Sequence, residues 1–139
     1  MSKNKKNTIM YTASIRDAVK TMDIEGFNLL IVLNNKQKVV GVFTLGDFQR
    51  AVFLGLDIDE KISSIINKNF EYLIEGFSKN NAKKIFLINE LVEEIPVLNK
   101  KFELLKIINK SDFFSINEFK KKINFNNIPV VVMAGGKGT

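Results

Sequence analysis

The sequence predicts a mixed α/β (α+β) fold made of two tandem units, each running helix–strand–strand–helix. Three observations predict it. First, residues 31–48, "IVLNNKQKVVGVFTLGDF", align without a gap on residues 96–113, "PVLNKKFELLKIINKSDF". The offset is constant: Val32 falls on Val97, Lys36 on Lys101, Asp47 on Asp112 and Phe48 on Phe113. Self-similarity of this length marks a repeated supersecondary unit. Second, the apolar runs are short and end in turn residues, as buried strands do. Third, helical spacing of apolar residues follows capping residues.

The elements follow in chain order. Ser14 and Asp17 make a capping-box-like start, and Ile15, Ala18, Val19 and Met22 recur at helical spacing. Gly26 falls where that helix should stop. "LLIVL" reads as a buried strand, "NNKQ" as a turn and "VVGVF" as the returning strand. "TLGD" opens a second helix, "FQRAVFL", which ends at Gly55. "DIDEKISSIINKNFEYL" connects the units. In the second unit, Ile85, Phe86 and Asn89 mark a helix within "AKKIFLINEL". "EIPVL" is a strand whose Pro96 suits an edge or a strand start. "NKKF" turns, "ELLKII" returns, and "NKSD" opens another polar junction. The expected divisions are a first repeat at 1–60, a second at 61–114, and a linker with a strand and glycine-rich loop at 115–139.

Composition narrows the function. The chain has 139 residues, 45% of them hydrophobic and 26% charged, a globular balance. No apolar run is long enough to span a bilayer, and no apolar segment follows the basic start "MSKNKKN" as a signal peptide would require. Cysteine and histidine are both absent. That removes disulfides, thiolate nucleophiles, the commonest general base and the commonest metal ligand. No metal site and no catalytic residue is expected in this chain, and the cytoplasm is its default location. The net charge of +6 comes mostly from dispersed lysines. Its aromatic residues are nearly all Phe within apolar patterns, so a core explains them better than base stacking. Nucleic acid is not expected as a partner.

"GVFTLGDF" is the stretch with ligand chemistry. Thr44 leaves a strand and Asp47 enters a helix, whose free N–H groups and positive dipole end attract phosphate. An ionised aspartate is acceptor-only and can take both hydroxyl protons of a ribose. Arg50, three residues on, could add charge toward a phosphate. The same T-x-x-D is also a capping box, with Thr44 as N-cap and Asp47 at N3. Both readings stay open on the residues alone. In the second unit Asp112 is kept, while Asn109 and Lys106 replace Thr44 and Gly41.

Gly41, Val42, Thr44 and Asp47 together resemble the signature of CBS domains, and the two units resemble a CBS pair, or Bateman module. The resemblance implies two sheets packed side by side with pseudo-twofold symmetry, leaving two clefts for adenosine compounds. It implies a cleft joining Val42, Thr44 and Asp47 to Phe70, Val92 and Glu94. A second cleft would join Asp112 and Asn109 to Met10, Asn28 and Leu29. The implied effector is AMP, ADP or ATP, with S-adenosylmethionine less expected. It also implies homodimers formed through the helices.

The tail, "PVVVMAGGKGT", resembles the first strand and signature loop of sugar-phosphate nucleotidyltransferases. Gly135, Gly136, Lys137, Gly138 and Thr139 would be the truncated phosphate loop. "FTLGDFQRAVFLG" is similar to CBS segments fused ahead of such enzymes, although Leu45 stands where an acidic residue is common. The expectation is a nucleotide-sensing module that regulates a nucleotidyltransferase in the same polypeptide and has no transferase activity itself. The alternative is a structural dimerisation module that binds no nucleotide.

Overall fold

Ser14 begins the first helix by accepting a hydrogen bond from the Asp17 N–H at 3.0 Å. Helix α1 (Ile15–Glu25) then buries Ile15, Ala18 and Met22, and Gly26 closes it with a φ of 71°. That left-handed φ is the reason a glycine stands there. The computed structural model describes residues 7–114. Strand β1 (Thr8–Met10) precedes α1, and β2 (Leu29–Leu33) and β3 (Val39–Thr44) follow it. Helix α2 (Leu45–Phe53) closes the first unit. The second unit contains β4 (Leu73–Ile74), α3 (Lys79–Ile88), β5 (Glu94–Leu98) and β6 (Leu104–Asn109). A single 3₁₀ turn, Lys110–Asp112, follows β6.

Each unit is a three-stranded sheet with its second strand in the middle. β1 lies parallel to β2, and β3 runs antiparallel to it. The second sheet repeats that order with β4, β5 and β6. The repeat holds at the level of register. Leu29 pairs with Thr44, and Glu94 pairs with Asn109. The bulge between Val32 and Leu33 recurs between Val97 and Leu98.

The hairpin turns explain why "VLN" appears twice. Asn34 Oδ1 accepts hydrogen bonds from the Lys36 and Lys38 N–H groups, at 2.9 and 3.0 Å. Asn99 Oδ1 does the same for Lys101 and Glu103, at the same two distances. An asparagine side chain that mimics a backbone turn fixes the loop and hence the strand register. Both loops carry a positive-φ residue at the matching place, Gln37 at 62° and Phe102 at 63°.

One core cluster lies under the first unit, around Ile15, Leu30, Phe43 and Ile62. Another lies under the second, around Phe86, Ile95 and Val97. A third joins the sheets, where Leu33, Val39 and Val42 meet Leu98, Leu104 and Ile107. Each of the first three is the repeat counterpart of one of the last three, as a pseudo-twofold relation requires. The Val39 N–H also donates across the units to the Phe102 carbonyl at 2.8 Å.

Three expectations need correction. The short strands β1 and β4 were not read from the sequence; two or three residues show no usable periodicity. Helix α3 begins earlier than "AKKIFLINEL" implies, because Ser78 caps it by accepting from the Asn81 N–H at 3.1 Å. Pro96 sits in the central strand, fully buried, rather than at an edge or a strand start. Its counterpart Ile31 donates its N–H to the Asn7 carbonyl on the β1 side. Proline has no such donor, and β4 pairs only with Val97 and Leu98, so its ladder stops short of Pro96. The expected final helix of the second unit shows one turn here. The rest of it, and the glycine-rich loop Gly135 to Thr139, lie outside the described residues.

Candidate functional site

The end of β3 and the start of α2 form one wall of a cleft of about 480 Å³, through Val42, Thr44, Leu45 and Gly46. Asn28 and Leu29, at the start of β2, belong to the same wall. The connection between the units supplies Asn67, Asn69, Phe70 and Glu71. The far wall comes from the segment between α3 and β5, including Val92, Glu93, Glu94 and Pro96.

The backbone draws the connection over the first sheet. Val42 and Asn67 exchange both N–H···O=C hydrogen bonds, at 3.0 and 2.9 Å. This explains Gly41. A Cβ there would lie 2.9 Å from the Asn67 carbonyl oxygen and 3.0 Å from Ile66 Cδ1. Glycine permits that approach of backbone to backbone.

Five of the six residues expected in the first cleft meet there: Val42, Thr44, Phe70, Val92 and Glu94. Asp47 does not line it. Asp47 is 4% exposed, and its carboxylate is engaged on both oxygens. Oδ2 accepts from the Thr44 N–H at 2.8 Å and the Thr44 hydroxyl at 3.0 Å. Oδ1 accepts from Arg50 Nη1 at 2.9 Å. The Asp47 N–H in turn donates to Thr44 Oγ1 at 3.4 Å, completing a capping box. Capping is therefore what Asp47 does in this structure. Arg50 extends outward on that ion pair and does not line the cleft.

The residues expected in a second cleft are not gathered in one place. Asn28 and Leu29 line the first cleft instead, because Leu29 pairs with Thr44 in the sheet. Met10 pairs with Leu33 at the opposite end of β2, about 13 Å away along the strand. It packs into the core between the sheets. Asn109 and Asp112 are exposed, and the Asn109 N–H donates to Asp112 Oδ2 at 3.1 Å.

Sequence reasoning missed Asn67, Asn69, Glu71, Asn89, Leu91 and Glu93. One local signal was available. "NKN" is an asparagine turn, in which the Asn69 N–H donates to Asn67 Oδ1 at 2.9 Å. It bends the connection just before Phe70.

The electrostatics of the cleft are acidic. Glu71, Glu93 and Glu94 line it, and among the described residues no lysine or arginine does. Glu93 faces Lys110, with Oε1 3.7 Å from Nζ. Glu94 Oε2 is buried and has no hydrogen-bond partner among the described residues. Burial, and then the neighbouring Glu93 charge, pushes the Glu94 carboxyl above the ordinary glutamate range. A larger groove of about 620 Å³ lies between α1 and α2 and shares Asn28 and Leu45 with the cleft. Val19, Phe27, Phe48 and Ile58 give it an apolar floor, Arg16, Lys20 and Asp23 lie on its lining, and Thr44 does not line it.

The class of fold is two α/β units joined through their sheets, with a cleft at facing strand ends. Residues 1–54 match the sequence model of the CBS domain. The solved structures agree on the fold. MJ1225 from Methanocaldococcus jannaschii superposes with a TM-score of 0.71 at 25% identity, over 88% of this chain and 49% of that one. The CBS domain protein PAE2072 from Pyrobaculum aerophilum, solved in complex with AMP, gives 0.67 at 20% identity, over 82% and 88%. Among curated relatives, arabinose 5-phosphate isomerase GutQ of Escherichia coli K12 is 28% identical over 106 residues. That match covers 76% of this chain and 33% of the isomerase, so the chain spans about a third of that relative.

Proposed function

We propose that this chain is a regulatory module that binds an adenine nucleotide in the cleft between its repeats and controls an attached enzyme acting on a sugar phosphate. The observation that carries this reading is the meeting of Val42 and Thr44 with Phe70, Val92 and Glu94 in one cleft at the head of α2. The first turn of α2 offers N–H groups to an anion, and Phe70 offers a face for a base. The AMP complex of PAE2072 supports the ligand class.

The attached enzyme is read from two directions. The tail resembles a sugar-phosphate nucleotidyltransferase, and GutQ acts on arabinose 5-phosphate. The reactions differ and the substrate class is shared, so a sugar nucleotidyltransferase is the specific reading and a sugar-phosphate enzyme the general one. No helix among the described residues is long and apolar enough to cross a membrane. We place the protein in the cytoplasm, where adenine nucleotides and sugar phosphates occur together. A nucleotide bridging the repeats would signal by binding one relative arrangement of them better than another.

Thermal unfolding against AMP, ADP, ATP, S-adenosylmethionine, GTP and CTP tests the reading. Binding to the folded state alone adds about 2.7 kcal/mol at a hundred times the Kd. A shift selective for adenine compounds supports it; no shift with any of them sinks it.

A second reading, dimerisation through the helices, has its own observation. Phe53 is 91% exposed at the end of α2, with Val52 and Leu54 also exposed. Exposed apolar residues that gather at a helix end suit an interaction site. Sedimentation of the wild type and Phe53→Glu tests it: a dimer that dissociates in the variant supports the reading, and a monomeric wild type refutes it.

A further inference from the structure

The charge of the cleft opposes the charge of the ligand class just proposed. The protein is +6 overall, yet among the described residues carboxylates alone supply the charged lining of the cleft. The nearby cations are committed elsewhere. Arg50 is held 2.9 Å from Asp47, and Lys110 sits behind Glu93. Glu94 is the informative side chain. Its counterpart in the first repeat is Leu29, at the same register position. A carboxylate thus stands where the fold accepts an apolar residue, with a buried oxygen that no group among the described residues satisfies. An unpaired buried acceptor is costly, and such groups concentrate where a ligand provides the missing donor.

Among the described residues of the cleft, the favourable place for an anion is the head of α2. Leu45 and Gly46 lie in its first turn, beside the Thr44 hydroxyl. That accommodates one phosphate group. Further phosphates would extend toward Glu71 or the Glu93–Glu94 wall, where like charge repels them.

Resting on the reading of this cleft as an adenine-compound site, we infer that it selects against phosphate number: it accepts an adenine compound carrying at most one phosphate and discriminates against bare di- and triphosphates. Glu94 accepts a hydrogen bond from the nucleoside part. Glu71 and Glu94 together set the electrostatic penalty on a polyphosphate chain. A divalent cation bound to the triphosphate reduces that penalty by masking its charge.

Calorimetric titration of the full chain with adenosine, AMP, ADP and ATP at low ionic strength tests this, with and without Mg²⁺. The expected result is a Kd for Mg²⁺-free ATP at least tenfold above that for AMP, with ADP between them. Mg²⁺ should narrow the gap. In Glu71→Gln and Glu94→Gln the ratio of the ATP and AMP constants should fall at least threefold. A purely structural effect would move both constants together and leave that ratio unchanged. Affinity that rises with phosphate number, or a ratio unchanged in both variants, overturns this inference while the cleft remains an adenine site. Absence of binding by adenosine and by every nucleotide overturns both readings.

Discussion

Asp47 accepts two hydrogen bonds from a single residue, Thr44, through its backbone N–H at 2.8 Å and its hydroxyl at 3.0 Å. The pair that resembles the CBS signature is also the pair that starts α2. A ribose that engaged Asp47 would compete with the cap or with Arg50, which holds the other oxygen.

Replacing Asp47 should therefore cost stability. Asp47→Ala removes the acceptor for a backbone N–H, a hydroxyl and a guanidinium, in a site almost closed to water. We expect a loss of about 2–3 kcal/mol in chemical denaturation. Thr44→Ala should lose about 1 kcal/mol. A stable Asp47→Ala protein that has lost adenine-nucleotide affinity would give the carboxylate a binding role beyond the cap.

Gly41→Ala should destabilise by about 1–3 kcal/mol, the usual range for overpacking. The added Cβ meets the Asn67 backbone, which cannot swing aside as a flexible side chain would. Because Asn67 lines the cleft, ligand affinity should fall as well. Lys106→Ala, at the matching position of the second repeat, should change stability by less than about 1 kcal/mol. Equal effects of the two would remove the special role of the connection.

The two turn asparagines offer an internal control. Asn34→Ala and Asn99→Ala each delete an acceptor of two backbone N–H groups. Each should lower stability by about 1–2 kcal/mol. Urea denaturation of the double variant should show near-additive losses if the hairpins are independent. Strong coupling would place the effect in the core between the sheets.

Glu94 predicts a dependence on pH. Its folded pKa is raised, so the fold disfavours the ionised form. The penalty is present above the folded pKa. It is relieved as pH falls through that value toward the ordinary 4.5. The groups facing this carboxyl include Glu93, with Lys110 beyond it. Glu94→Gln should be more stable than the wild type at neutral pH, and the difference should vanish near pH 4. Thermal melts across that range check it; a difference independent of pH would show that the carboxyl charge is not the cause.

The sequence by itself determined what neighbours along the chain decide. Ser14 and Gly26 bound α1, Asn34 and Asn99 fix the hairpins, and the constant offset of the repeat reappears as identical strand register. These depend on caps, turns and alternation, all interactions within a few residues. The tertiary structure decided which surfaces face each other. It brought Asn28 and Leu29 to the cleft at Thr44, sent Met10 into the core and placed Pro96 in a central strand. It also turned Asp47 inward and left Glu94 as an unpartnered acceptor in an acidic cleft. Those outcomes depend on contacts between segments far apart in the chain, across a connection whose residues follow no period, so no local pattern encodes them.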